Sequence, residues 1–202
     1  METQTRSLLD HLSPERRAAI EEHVETLLSE LTLEQKVGQL NQVNADFATG
    51  TAVADMDLEE GIRDGDIGSV LNFADLDEAR RFQELAVEES DHGIPLVLAL
   101  DVIHGYRTIF PIPLAESCCW DPDLQERASR AAADEAAASG TDWIFAPMVD
   151  IARDPRWGRI AEGAGEDPFL GRAMARARVR GFQAKGLACD KKIVACPKHY
   201  VA

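Results

Sequence analysis

The chain has 202 residues, 45% hydrophobic and 28% charged, which is enough for one sizeable core and argues against a disordered polymer. Its 36 Asp and Glu against 21 Lys and Arg leave a formal charge of -15, which argues against binding nucleic-acid phosphates or anionic lipid, since both need basic patches. Lysine is confined to Lys36, Lys185, Lys191, Lys192 and Lys198, so arginine carries most of the positive charge, a pattern expected of a salt-adapted protein.

Met1 to Arg17 is polar and lacks the apolar core of a signal peptide, so a cytoplasmic location is expected. Ser13 before Pro14 is an N-cap followed by a first-turn proline. It opens an amphipathic helix with Ile20, Val24, Leu27, Leu28 and Leu31 on one face. Residues 1–30 are therefore expected to form a helical extension ahead of a domain spanning 31–202. Thr32-x-x-Gln35 has capping-box spacing and starts a short helix through Val37 and Leu40.

A Gly/Ala/Asp-rich connection follows at Thr49–Asp57, after which strand and helix signals alternate. Strands are expected at Ile67–Asn72, Pro95–Leu100, Trp143–Val149 and Ile193–Cys196. Helices fill the gaps over Asp75–Ser90, Asp121–Ser139 and Asp167–Ala184, with Gly140 and Gly186 placed as C-cap glycines. The strands are short apolar runs without alternation, as expected of strands buried on both faces of an α/β parallel sheet. A closed (β/α)8 TIM-type barrel takes about 250 residues. Four strands therefore predict the N-terminal half of such a barrel, with open edges that favour self-association.

Three of the runs empty into ionisable residues: Pro95–Leu100 into Asp101 to Arg107, Trp143–Val149 into the segment from Arg153 to Pro168, and Ile193–Pro197 into Lys198 and His199. Strands that deliver polar side chains at their C-terminal ends suit a parallel sheet or barrel, where ligands sit outside those ends. Cys118, Cys119, Cys189 and Cys196 lack zinc-site spacing and are expected as buried free thiols. Gly163-x-Gly165 lacks the third glycine of a dinucleotide loop. No cofactor and no metal are expected.

The strings L-T-L-E-Q-K-V-G-Q-L from Leu31, A-L-D-V-I-H-G-Y-R-T-I-F-P-I-P-L-A from Ala99, A-R-D-P-R-W-G-R-I-A-E-G-A-G-E-D-P from Ala152 and K-H-Y-V-A from Lys198 resemble the N-terminal barrel of glycoside hydrolase family 3. Within it the chain resembles bacterial and archaeal β-glucosidases. The resemblance implies that Asp101 accepts from hydroxyls of the terminal sugar while Arg159, Lys198, His199 and Arg107 contact its other hydroxyls. It also places the nucleophilic aspartate and the acid/base glutamate beyond residue 202. The parent is then expected to hydrolyse terminal β-D-glucosyl residues with retention, and the 202-residue chain to be inactive alone.

Other readings stay open. Asp101 could merely cap a turn. Arg153 and Arg156 are expected in structural ion pairs with loop carboxylates such as Glu162, Glu166 or Asp167, Trp157 in loop packing, and His104 in a supporting role. A β-xylosidase or β-N-acetylhexosaminidase of the same family, a Schiff-base aldolase using Lys198, and a non-catalytic sugar-binding or self-associating half-barrel are the alternatives. The charge excess predicts that the thermal midpoint rises between low salt and molar potassium chloride, because salt screens carboxylate repulsion. A flat or falling midpoint in a salt series would remove the idea of salt adaptation.

Overall fold

The computed structural model describes residues 12–45, 57–73, 75–183 and 193–200. Lys185, Lys191, Lys192, Cys189, the expected cap Gly186 and most of the Thr49–Asp57 connection lie outside them. Five strands, β1 (Gln42–Asn44), β2 (Ser69–Leu71), β3 (Val97–Leu100), β4 (Trp143–Ile144) and β5 (Val194–Ala195), lie side by side in that order, all parallel. A sheet whose spatial order repeats its chain order winds in one direction, as a (β/α)8 barrel does, whereas a doubly wound sheet reverses at a switch point.

The expectation of four strands missed β1. Gln42–Asn44 carries one apolar residue between two polar ones, so it gives no apolar run, yet Val43 pairs with Val70 and is buried. The apolar runs also overstate strand length. β4 ends at Ile144, and parallel pairing resumes only at Met148, opposite Lys198.

The helices are α1 (Pro14–Glu30), α2 (Leu33–Gly38), α3 (Leu58–Arg63), α4 (Leu76–Glu84), α5 (Pro113–Ser117), α6 (Pro122–Ala138) and α7 (Pro168–Gln183), with a π-helical turn at Leu85–Glu89 prolonging α4. Their starts follow the capping chemistry of the sequence. Ser13 accepts from the amide of Arg16, Thr32 and Gln35 bond reciprocally, and Asp121 accepts from the amides of Asp123 and Leu124. Gly140 (φ +89°) ends α6 by turning the amides of Gly140 and Thr141 back to the carbonyls of Ala137 and Ala136.

Helix α1 differs from its expected role. The helix forms, but none of its residues is buried, Val24 and Leu28 of the expected apolar face are exposed, and the following Leu31 is the buried one. The cysteines differ too: Cys118 and Cys119 are exposed, and Cys196 is partly so. Cys118 and Cys119 are surface thiols because the chain leaves the core at the end of α5, and their Sγ atoms donate to the carbonyls of Leu114 and Glu116.

One face of the sheet is covered by helices. Val43, Val70 and Leu98 lie on that face in register, Ile144, the partner of Leu100, lies on it two positions further along, and the four are each no more than 6% exposed. On the opposite face, which a closed barrel turns inward, Val97 and Val194 are 42% and 44% exposed. Ala99 on that face is buried, so the expectation of burial on both faces holds fully for one and in part for the other. Two apolar clusters form behind the sheet, one around β1 to β3 with α3 and α4, the other around β4 and β5 with α6 and α7.

Helices α6 and α7 approach closely because alanine and glycine line the seam: a Cβ on Gly181 would lie 2.4 Å from the Cβ of Ser129. Arg178, on α7, is buried and donates to the carbonyl of Ile103 and to Glu116, tying the segment after β3 to α5 and α7. Burial pulls its guanidinium below the ordinary range, against the opposing pull of Glu116. Gly181→Val is expected to force the helices apart and cost about 1–3 kcal/mol, as overpacking does. Urea unfolding of the variant would show it as a lowered midpoint, and an unchanged midpoint would contradict the seam.

Candidate functional site

Asp101 follows β3 directly, Asp150 and the Arg159 loop follow β4, and Lys198 and His199 follow β5. Leu100, Ile144 and Ala195 are register partners across β3, β4 and β5, which puts the three strand ends level. Beyond them the backbone keeps the alignment. Lys198 donates its amide to the carbonyl of Pro147 (3.0 Å) and accepts from the amide of Val149 (2.7 Å). His199 is thereby set beside Asp150.

These positions bring four of the five expected residues together. Lys198 Nζ donates to Asp101 Oδ1 at 2.6 Å, and Arg159 Nη1 lies 3.2 Å from His199 Nε2. Arg159 also grips Glu162 through two parallel bonds of 2.7 and 2.6 Å. Asp101 and Asp150 both favour the charged form of Arg159, after the dominant pull of Glu162. Arg159, first by its hydrogen bonds, and then Lys198 by charge, hold the Glu162 carboxyl below the usual range against its partial burial. Asp101 and Arg159 side chains remain nearly half exposed, so the cluster is open to a ligand from solvent.

Arg107, the fifth, stands apart. Its guanidinium lies over the Tyr106 ring, 5.2 Å from the centroid, and no bond among the described residues joins it to the cluster. The loop that carries it is turned toward α6 by Glu135, whose carboxylate accepts from the amides of Arg107 and Thr108 and from the Thr108 hydroxyl. His104 braces the same loop, with Nδ1 and the carbonyl both meeting Phe110. Gly105 has φ +98°, and a Cβ there would lie 2.0 Å from the Thr108 carbonyl oxygen, so only glycine permits this turn beside Asp101.

In the loop after β4 Arg156 forms the structural ion pair expected of it with a loop carboxylate. Arg156 takes Asp154 at 2.6 Å, because a carboxylate two residues away in the same turn is the nearest one. Glu162 goes to Arg159, and Asp167 accepts from the amide of Phe169 at the start of α7. Among the described residues Arg153 forms no ion pair with Glu162, Glu166 or Asp167. Gly165 (φ +99°) closes the loop by accepting from the amide of Ala152.

Asp150 and the Arg159 partner role of Glu162 are what the sequence reading missed. Asp150 accepts from the His199 amide through Oδ1 and meets His199 Nδ1 through Oδ2 at 2.9 Å. One signal pointed to it: Asp150 stands one residue past its apolar run, as Asp101 does past its own. Lys198, with its ammonium engaged by Asp101, has the arrangement of a binding cation rather than of a free nucleophilic amine. Among the described residues no group of His, Cys, Asp and Glu could hold a metal ion.

The family model for the glycosyl hydrolase family 3 N-terminal domain matches residues 32–202. A periplasmic β-glucosidase of Salmonella typhimurium is 37% identical over 95% of this chain and 24% of its own length. A β-xylosidase of Formosa agariphila is 28% identical over 90% of this chain and 21% of its own. The crystal structure of the β-glucosidase from Listeria innocua in complex with isofagomine superposes with a TM-score of 0.81 and 38% identity, over 89% of this chain and 25% of that one. The chain thus spans about a quarter of the length of the relatives it matches.

The lowered Glu162 carboxyl gives a pH prediction. A carboxylate whose folded value is depressed stabilises the fold above its unfolded value, about pH 4.3 for glutamate, and loses that contribution as pH falls through the lower folded value. The thermal midpoint of the native chain should therefore fall more steeply below about pH 4.3 than that of Glu162→Gln. Parallel curves for the two proteins would contradict the Arg159 clamp.

Proposed function

We propose, from the premise that this chain belongs to glycosyl hydrolase family 3 through the family's N-terminal domain, that Asp101, Arg159, Lys198 and His199 bind the terminal sugar of a β-glucoside. One observation carries the reading: four polar side chains from three separate strand ends meet at the C-terminal side of a parallel sheet, half open to solvent. A carboxylate accepts from vicinal hydroxyls, and lysine and arginine donate charge-assisted bonds to their oxygens. That donor and acceptor mixture suits a neutral polyol.

A retaining glycosidase also needs a nucleophilic carboxylate and a carboxylic acid about 5–5.5 Å apart. The carboxylates of this cluster do not offer that pair. Asp101 is engaged by Lys198, Asp150 by His199, and Glu162 is held ionised by Arg159, the opposite of what an acid requires. The segment therefore supplies sugar binding to a parent that hydrolyses terminal β-glucosides through a glycosyl-enzyme intermediate. The similarity to a xylosidase supports a second reading, since these residues do not distinguish a sugar with an exocyclic hydroxymethyl group from one without. Salt adaptation, supported by the charge excess, and self-association, supported by the outermost places of β1 and β5 in the strand order among the described residues, belong to the same proposal, as does a cytoplasmic location.

The chain should bind D-glucose without releasing nitrophenol from an aryl β-glucoside. Asp101→Asn keeps the shape but loses the charge, and should weaken glucose binding about tenfold, or ~1.4 kcal/mol. Calorimetric titration would read this. Equal affinity of the two proteins, or turnover by the chain, would overturn the assignment.

A further inference from the structure

Asp150 is the carboxylate of the cluster that solvent hardly reaches, with a side chain 2% exposed. Both its oxygens face His199, Oδ1 on the backbone amide at 3.3 Å and Oδ2 on ring Nδ1 at 2.9 Å. Across the ring, Nε2 faces Arg159 Nη1 at 3.2 Å. A guanidinium only donates and an ionised carboxylate only accepts. Nε2 must therefore accept, and Nδ1 must carry the hydrogen. The opposite tautomer would set lone pair against lone pair at Asp150 and hydrogen against hydrogen at Arg159.

We propose that Asp150 is a positioning residue that fixes His199 as the neutral Nδ1–H imidazole, so that the ring presents an acceptor nitrogen where Arg159 and Lys198 present only donors. Its consequence for sugar selection rests on the reading of this cluster as a sugar site; the tautomer itself does not. A hydroxyl that replaces the direct Nη1–Nε2 bond is read in both of its roles, donating to the ring and accepting from the guanidinium. A fluorine in its place accepts only, and satisfies Arg159 alone. Asp150 acts through the ring and stays behind it.

The test uses the 202-residue chain labelled with 15N-histidine, with His199 identified by comparison with His199→Gln. A long-range proton–nitrogen correlation spectrum at neutral pH should show Nδ1 protonated and Nε2 bare. Asp150→Asn has nearly the same shape but can turn its amide nitrogen toward Nδ1, and should give a mixed or inverted tautomer; packing alone would leave the ratio unchanged. Arg159→Met, which leaves Asp150 in place, should keep the Nδ1–H form and decides the matter should Asp150→Asn fail to fold. An Nε2–H ring in the native chain, the native ratio in Asp150→Asn, or loss of the Nδ1–H form in Arg159→Met would each overturn the proposal. Titration with D-glucose separates the two ideas: the native chain should bind it about tenfold more tightly than Asp150→Asn. An intact Nδ1–H spectrum without glucose binding to the native chain would support the tautomer while ending the sugar reading.

Discussion

The backbone pairing of Lys198 with Pro147 and Val149 is the constraint on which the site depends. β4 and β5 are two residues each, too short to align anything several residues past their ends. The resumed parallel pairing beyond them carries the register forward until Lys198 lies beside Met148 and His199 beside Asp150. A slip of one residue would turn Lys198 to the other face of the sheet and separate it from Asp101. The side-chain cluster is thus a result of main-chain geometry.

Charge then organises what the backbone has placed. Each cation in the cluster faces a carboxylate; Lys198 with Asp101 ties the segment after β5 to the one after β3, while Arg159 with Glu162 braces a single loop. Half-exposed pairs of this kind add little to stability. Their value lies in fixed geometry: donors and acceptors are already oriented before a ligand arrives, which lowers the ordering cost of binding. Asp150, almost wholly buried, fixes the histidine ring from behind, while Asp101 and Arg159 remain open to exchange partners.

The parts of this arrangement that were legible in the sequence had local causes. Ser13, Thr32 and Asp121 announced helix starts because capping is decided within three residues, and the capping bonds form as the spacing implies. Apolar runs located β2 to β5, and the polar residues after them located the cluster. Val43 gave no run, so β1 stayed hidden until the neighbouring strand buried it. Arg107 went astray, and the partner of Arg156 stayed open, for a related reason. Glu135 holds the first loop from 28 residues away, and Asp154 sits close enough to capture Arg156 before any more distant carboxylate can. Which of several carboxylates an arginine meets is a tertiary outcome that motif spacing does not encode.

Leu100 packs against both apolar clusters, the one behind β1 to β3 and the one behind β4 and β5. Each cluster draws on chain that is mostly contiguous, so neither has to wait for distant sequence to be synthesised before it can condense. The arc can accordingly grow by accretion from its N-terminal side, with the second unit consolidating on a surface that the first has already finished. Protection of amides from hydrogen exchange would then fall into two tiers that meet at β3, and the strand that ends just before Asp101 would belong to both.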